Sequence, residues 1–347
     1  MKLKYKNKLK RIIAKYIPKA LIMIIIKLDP KDLKDKTDYF WQLKYFKKKI
    51  ENFSKYKLVY KNNFKVGIIM QGPIIIEESF TYNSLKLLKF NYPHCEIVLS
   101  TWKDQKKEEI EKIEQLGIKI LKNNYPEKGM ENLNYQITST IAGVDYLKKL
   151  NVEYVMKTRT DQRIYDINLD IYLINLLKEY PINNKFQKER IIGIGDNTYK
   201  YIPFSFSDMF QFGNINDIEV MWSLPLTKRR FTIEDRIKIN PTIKEMQKFS
   251  NCEMYLCISF LKRTNYKIEY TLESYYKSLK ERFLIVDNIN IYWFKYNSLK
   301  DKTENFLLKD EKMTYNDWTN LYKSFNNIDF RILNEIELKI FQTKLYK

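Results

Sequence analysis

The first half of the chain alternates short apolar runs with longer stretches in which apolar residues recur every three or four positions. The short runs are rich in Ile, Val and Leu, as in buried strands, and span 64–70, 96–102, 118–121 and 151–157. The longer stretches have the spacing of amphipathic helices and run from Phe80 to Phe90, from Lys106 to Leu116 and from Asn132 to Leu150. Strands separated by helices predict an α/β fold with a doubly wound, mostly parallel sheet flanked by helices.

Ligands bind such sheets at the edge where the parallel strands end. Three tripeptides end predicted strands: Gln71-Gly72-Pro73, Ser100-Thr101-Trp102 and Arg159-Thr160-Asp161. Gly72 permits a close backbone approach and Gln71 offers an amide, a combination that suits a base or a ribose. The same tripeptide also fits an ordinary strand-to-helix turn, so both interpretations stay open.

The fourth predicted strand ends in a charged alternation. Side chains alternate along a strand, so Lys157, Arg159 and Asp161 are expected on one side, about 7 Å apart in succession. Charges at the mouth of an apolar sheet are costly to bury without partners. A diphosphate with Mn²⁺ or Mg²⁺ would satisfy them, with the two cations on phosphate oxygens and Asp161 on the metal. An internal ion pair between Arg159 and Asp161 is the alternative.

Charge changes the picture mainly at the N-terminus. The chain carries a net charge of +20, and its first 60 residues hold 18 Lys and Arg against 5 Asp and Glu. The apolar run 21–26 is too short to span a bilayer and precedes no small-residue cleavage site. We therefore predict that residues 1–60 form a basic, partly apolar helical extension on an anionic membrane surface. A solvated arm that packs on the main domain is the alternative.

The composition excludes a disordered chain and limits the kinds of active site that the protein can have. Hydrophobic residues make up 44% of the chain, which excludes a disordered chain of low hydrophobicity. His94 is the single histidine, so a Ser-His-Asp mechanism or a multi-histidine metal site would have to run through it. We predict a loop position for His94 and assign acid–base chemistry to carboxylates.

The cysteines indicate the compartment. The chain has three of them and no C-x-x-C motif, which favours a reducing cytoplasm. The sequence has no RNP-like, zinc-finger or helix-turn-helix pattern, so no nucleic-acid partner is predicted.

Ordered sequence blocks then suggest a family. They are Val66–Pro73, Ile97–Trp102, Asn134–Thr140, Lys157–Asp161 and Ser207–Gly213, followed by Glu253 with Tyr255. In order and spacing, over roughly residues 64–260, this set resembles the WavE-type lipopolysaccharide-synthesis family. The resemblance implies a GT-A-like glycosyltransferase. Such an enzyme would move a sugar from a nucleotide-diphospho-sugar to a lipid-linked lipopolysaccharide, lipooligosaccharide or capsule glycan.

The resemblance also implies site residues. Donor-binding positions are Gln71, Gly72, Pro73, Thr101, Asn134, Gln136, Lys157, Arg159 and Asp161, and the metal position is Asp161. Arg159 stands where the first carboxylate of an Asp-x-Asp motif would be, which leaves dependence on Mn²⁺ or Mg²⁺ open. Asn134 and Gln136 open a helix whose N-terminus favours an anion at the same edge. Helix capping and surface solvation are their alternative roles.

Two carboxylates are the catalytic candidates. An inverting transfer to a hydroxyl needs a carboxylate to take the acceptor's proton. We predict Glu253 as this base and Asp208 as a ligand of the acceptor or donor. Glu253 is equally a favourable first-turn acid of its helix, and Asp208, flanked by aromatics, equally a helix cap or a hydrogen-bond anchor.

These expectations give a domain plan and a location. Residues 1–60 are the extension, 61–270 the GT-A-like donor and acceptor domain, and 271–347 a mixed α/β extension packed on it. We expect the protein in the cytoplasm, peripheral to the inner membrane. A non-catalytic protein that binds anionic polysaccharide or a membrane surface through a GT-A-like fold is the second functional candidate.

Overall fold

The computed structural model describes residues 64–200, 202–228, 251–288, 293–295 and 312–328. The predicted extension 1–60 lies outside these residues. All of the described residues belong to one compact unit. Within them, no helix is both long and apolar enough to cross a bilayer.

Strands and helices alternate through the first half of the described chain, as predicted. The strands are β1 Val66–Gln71, β2 Glu96–Trp102, β3 Lys119–Asn123, β4 Tyr154–Arg159, β5 Gln162–Ile164, β6 Ile191–Ile194, β7 Gln211–Asn214, β8 Phe283–Val286 and β9 Trp293–Lys295. The α-helices are α1 Phe80–Asn91, α2 Lys107–Glu114, α3 Leu133–Lys149, α4 Leu169–Glu179, α5 Ile215–Trp222, α6 Cys252–Arg263, α7 Leu272–Arg282 and α8 Tyr315–Ser324. Short 3-10 turns cover Glu77–Ser79, Met130–Asn132 and Phe325–Asn327.

Seven of these strands form one sheet, in the order β3-β2-β1-β4-β7-β6-β8. In the described sheet β7 is antiparallel to both of its neighbours, and the other pairs are parallel. β5 and β9 form a separate antiparallel pair. The predicted mostly parallel sheet flanked by helices is confirmed.

The C-terminal part of the chain contributes to the same sheet. β8 comes from the predicted 271–347 extension and pairs with β6 at four consecutive positions, Ile191 with Phe283 through Ile194 with Val286. The proposed boundary at residue 270 therefore lies between two parts that share one sheet, and as a domain boundary it stays a prediction.

Helix α3 is held against the centre of the sheet by a close approach. A Cβ atom at Gly143 would lie 2.7 Å from a side-chain carbon of Ile69 on β1, so only glycine allows this packing. Strand β1, which lies inside the sheet between β2 and β4, is buried along its whole length. This contact fixes the first turn of α3 at the edge where β1 and β4 end.

The antiparallel strand β7 brings a further segment to that edge. Gln211, its first residue, stands opposite Lys157 near the end of β4. Residues 207–210, which precede β7, therefore lie at the edge of the sheet where β1 and β4 end. We call this the carboxyl edge. Strand β6 runs parallel to β8 and leads into Asp196 and Asn197 at the same edge. The edge thus collects residues from segments that are far apart in sequence.

Candidate functional site

Four predicted site residues form one buried hydrogen-bonded network at the carboxyl edge. The Gln71 side-chain amide donates to Gln136 Oε1 at 3.5 Å, and Gln136 Nε2 donates to Asp208 Oδ2 at 2.5 Å. Lys157 Nζ donates to Gln136 Oε1 at 3.4 Å and to the backbone carbonyl of Asp208. None of the four is more than 7% exposed. The ends of β1 and β4, the start of α3 and the segment before β7 therefore meet in this network.

Lys157 points into the protein. Its ammonium lies 4.5 Å from the centre of the Trp222 indole ring, and the indole N–H donates to Gln211 Oε1 at 2.7 Å. Burial lowers the pKa of Lys157 to about 7, although the nearby Asp208 carboxylate favours the charged form. Lys157 thus holds the main chain of Asp208 in place. Its predicted contact with phosphate oxygens stays a prediction.

Arg159 and Asp161 form the ion pair that the sequence left as the alternative. Arg159 Nε donates to Asp161 Oδ1 and its terminal nitrogen to Oδ2, both at 2.9 Å. The two side chains are 24% and 14% exposed, so the pair reaches the surface of the edge. Both carboxylate oxygens already accept from a cation, and a divalent ion there would be repelled by the guanidinium. In this arrangement Asp161 does not fit a metal site.

Asn134 ties the start of α3 to two loops. Its amide nitrogen donates to the backbone carbonyls of Glu127 and Thr227, both at 2.9 Å, and its side-chain oxygen accepts from the Thr227 amide at 2.8 Å. These bonds hold residues 127 and 227 beside the helix. A role of Asn134 in donor binding would act through these loops.

The other predicted donor-binding positions differ in exposure. Thr101 is buried, and its hydroxyl has no hydrogen-bond partner among the described residues. Pro73 is exposed at the edge. Gly72 is buried between them, and its amide donates to the Ser100 carbonyl at 3.1 Å. Contact of these residues with a donor stays a prediction.

Gly72 cannot be replaced without strain. Its φ is +124°, which side-chain-bearing residues rarely adopt, and a Cβ atom there would lie 2.6 Å from Thr160 Oγ1. We expect Gly72→Ala to lower the free energy of unfolding by about 1–3 kcal/mol, measured by urea denaturation. Gly117→Ala is the control, because Gly117 also has a positive φ but its Cβ would meet nothing within 4 Å. A smaller loss in Gly72→Ala than in Gly117→Ala would contradict the tight contact with Thr160.

The two predicted catalytic carboxylates both lie close to the Cys252 thiol. Cys252 Sγ is 3.1 Å from Glu253 Oε2 and 3.8 Å from Asp208 Oδ2. Glu253 Oε1 accepts from Asn197 Nδ2 at 2.8 Å, so the end of β6 and the start of α6 hold this carboxylate together. The side chain of Asn251 caps α6 by accepting from the Met254 amide at 2.8 Å. The structure therefore brings Glu253 next to the network that contains Asp208.

A further acid reaches this position from the turn before α3. The Cys252 amide donates to Glu131 Oε2 at 3.2 Å, and Glu131 has a left-handed backbone with φ of +48°. Glu131, Cys252 and Glu253 each offer one atom that could bind a metal ion, and these atoms lie within 4.8 Å of one another. Of the groupings around the described edge, this trio could hold a cation more readily than the paired Asp161.

The sequence interpretation missed several of these residues. Glu131 and Cys252 do not directly follow a strand, and Asn197 follows β6, a strand that the sequence did not predict. His94 takes no part in the site, because it precedes β2 at the opposite edge, where its Nε2 lies 2.8 Å from Asp170 Oδ2. The loop position of His94 is confirmed, and acid–base chemistry by carboxylates at the described edge stays a prediction.

Comparison with known proteins supports one family. A family model described as WavE lipopolysaccharide synthesis matches residues 66–329, which is most of the chain. No curated protein matches the sequence.

Solved structures of low similarity are also matched. A cytidylyltransferase from Leptospira borgpetersenii is 14% identical with a TM-score of 0.32, covering 60% of this chain and 100% of its own. A putative glucose-1-phosphate thymidylyltransferase from Bacillus anthracis is 9% identical with a TM-score of 0.35, covering 77% and 97%. The glycosyltransferase GlyE from Streptococcus pneumoniae is 10% identical with a TM-score of 0.34, covering 78% and 62%.

Proposed function

The chain belongs to the WavE lipopolysaccharide synthesis family, and from this premise we propose that it is a glycosyltransferase. It would transfer a sugar from a nucleotide-diphospho-sugar to a lipid-linked glycan of the lipopolysaccharide, lipooligosaccharide or capsule type. The family supports the pathway class, and the residues at the carboxyl edge support the reaction class.

One observation carries the reaction class. Asp208 and Glu253 come from separate segments, yet both carboxylates contact the same buried thiol of Cys252 at the edge of the sheet. Three hydrogen bonds, donated by Gln136, Lys157 and Asn197, hold them there. Buried carboxylates are costly without hydrogen-bond or charge partners, and clusters of them in a cleft are typical of functional sites.

The proposed reaction is a direct displacement at the anomeric carbon. Glu253 accepts the proton of the acceptor hydroxyl as that oxygen bonds to the anomeric carbon. The bond between the anomeric carbon and the diphosphate oxygen breaks at the same time, and the electron pair leaves with the nucleoside diphosphate. Arg159 lies partly exposed at the end of β4 and would offset the charge that develops on the leaving group. Asp161 orients this guanidinium through two hydrogen bonds.

The location of the acceptor gives the basic N-terminus a role within this proposal. Residues 1–60, with 18 Lys and Arg against 5 Asp and Glu, would bind anionic lipids of the inner leaflet. A lipid-linked acceptor is presented on that surface. Deletion of residues 1–30 should then release the protein from anionic vesicles while transfer to a detergent-solubilised acceptor continues. Unchanged vesicle binding would contradict this role.

Arg159→Gln tests the leaving-group role. We expect kcat/KM for the donor to fall about 100-fold, since a preorganised donor to developing charge is lost. Lys267→Gln is a matched control, because Lys267 and Glu269 form an ion pair of the same sequence spacing on the exposed surface. The measurement is donor hydrolysis or sugar transfer by the purified full-length protein, after a thermal-shift screen of nucleotide-sugars with and without Mn²⁺ has identified the donor.

The result also separates the two functional candidates. If the protein is an enzyme, it turns over the nucleotide-sugar that raises its melting temperature in the thermal-shift screen. The variants Arg159→Gln and Asp161→Ala then lose this turnover. A non-catalytic binding protein would bind anionic polysaccharide or vesicles with no turnover of any nucleotide-sugar. That second outcome would overturn the proposal.

A further inference from the structure

Three aromatic rings form a shelf at the ends of β2 and β3. The Trp102 and Tyr125 rings are stacked, with centroids 4.4 Å apart and planes inclined by 21°. Tyr135, in the first turn of α3, meets both rings edge-on with centroids 5.3 Å away. We call Trp102, Tyr125 and Tyr135 the aromatic shelf. It lies beside the network of the candidate site, since Tyr135 is the chain neighbour of Gln136.

Tyr125, the outer ring of the aromatic shelf, is partly exposed and is held in place by its neighbours. Trp102 is buried beneath Tyr125, which remains 46% exposed. The Tyr125 hydroxyl donates to Asp104 Oδ1 at 3.1 Å. Burial and this hydrogen bond raise the pKa of Tyr125 to about 12, so the phenol keeps its proton at neutral pH. Among the described residues, ring contacts cover one face and an edge of Tyr125, and the opposite face has no ring against it.

The rim of the aromatic shelf is tied to the end of β1. Gln105 donates to Asp104 Oδ1 at 3.1 Å and accepts from the Ile74 amide at 2.7 Å. The loop after β2 is thus held to the segment that follows Gly72. A ring that is held from below and from the side loses little freedom when a ligand covers it.

The aromatic shelf also has a suitable distance from the charged end of β4. Tyr125 follows the end of β3 and Arg159 ends β4, with β2 and β1 between these two strands. Three strand spacings amount to about 14 Å along the edge. A nucleoside diphosphate carries its apolar base and its anionic diphosphate at opposite ends of a ribose. Its two ends therefore match the exposed ring at one end of this edge and the guanidinium at the other.

We propose that the aromatic shelf binds the base of the donor nucleotide by stacking on the exposed face of Tyr125. Planar bases stack on aromatic faces, and this interaction depends little on which base is present because every base has a π-face. The ribose then crosses Gly72, and the diphosphate lies toward Arg159. This inference rests on the proposed function and adds to it the site of the base.

The test compares ligands with and without a base. Isothermal titration calorimetry measures binding of UDP, CDP, GDP, ADP, dTDP and inorganic pyrophosphate to the full-length protein. We expect Tyr125→Leu to weaken the nucleoside diphosphates that bind by about 5- to 150-fold, which corresponds to the loss of one stacking contact. Pyrophosphate, which has no base, should bind equally to both proteins. Tyr125→Phe keeps the ring and should stay within about threefold of the wild type.

Phe90→Leu serves as the matched control. Phe90 is 44% exposed near the end of α1, away from the carboxyl edge, and its replacement should leave nucleotide binding unchanged. Equal melting temperatures of Tyr125→Leu and Phe90→Leu would establish that the fold is retained. If these two variants bind the nucleoside diphosphates alike, the base site is wrong while the proposed function stands. If no nucleoside diphosphate binds the wild type, both the base site and the proposed donor class fail.

Discussion

Glu253→Gln is expected to lower kcat of sugar transfer by about 10²- to 10⁴-fold, since the carboxylate that takes the acceptor's proton is replaced by an amide. The substitution keeps the size of the side chain and its hydrogen bond from Asn197, which ends on Glu253 Oε1. We therefore expect the dissociation constant of the nucleoside diphosphate and the melting temperature to change little. Single-turnover transfer by the purified variant is the measurement.

A second acid at the same helix position controls for the helix dipole. Glu253 and Glu273 are first-turn acids of α6 and α7, and Glu273 is exposed and away from the network. If Glu253 only stabilises its helix, both Gln variants should lose a few tenths of a kcal/mol and keep full transfer. Full transfer by Glu253→Gln would then leave Asp208 as the base. Full transfer by both Glu253→Gln and Asp208→Asn would remove carboxylate catalysis from this edge.

The parallel half of the sheet could be predicted because its strands are long, apolar and separated by amphipathic helices. The predicted strand 96–102 coincides with β2. The predicted strand 151–157 begins too early, since Asn151 has a left-handed backbone with φ of +54° and closes α3. Val152 has a high strand propensity, but it lies in the connection between α3 and β4. The start of β4 therefore depends on the backbone conformation of Asn151, which the apolar pattern does not show.

The second half of the sheet could not be predicted from pattern. Strands β6, β7 and β8 have four residues each, too few for a period to distinguish a strand from a buried helical turn. Their order places the antiparallel β7 between β4 and β6. Such a crossing depends on tertiary pairing, for example of Lys157 with Gln211, and leaves no local signal in the sequence.

The candidate site, like the sheet, could be predicted only in part. The rule that ligands bind where parallel strands end singled out Gln71, Arg159 and Asp161, which the structure places at one edge. It could not tell which partner each polar group has. Lys157 turns to the Asp208 carbonyl because β7 brings that segment back beside β4, and Asp161 pairs with Arg159. Hydrogen-bond partners follow from the three-dimensional path of the chain, so the sequence supplied the residue types but not their connections.

Trp318→Ala is expected to lower the free energy of unfolding by about 3–5 kcal/mol, as for other buried aromatic residues truncated to alanine. Trp318 lies in α8 and is fully buried. Its indole N–H donates to the Leu279 carbonyl at 3.1 Å, and the Arg190 guanidinium lies 5.6 Å from its ring centre. Removal of the ring leaves a cavity and takes an aromatic partner from a buried cation. Urea denaturation of the full-length protein measures the change.

The comparison with Phe186→Ala makes this result specific to packing of the C-terminal segment. Phe186 is exposed, and its truncation should change stability by less than about 0.5 kcal/mol. An equally small change in Trp318→Ala would contradict packing of α8 on α7 and β8 in solution. A large change would show that residues 312–328 stabilise the part of the fold that carries the site, since β8 pairs with β6 and β6 leads to Asn197, which donates to Glu253. Below its melting temperature the variant should still bind UDP or whichever nucleoside diphosphate binds the wild type, because Trp318 contacts none of the carboxyl-edge residues described above.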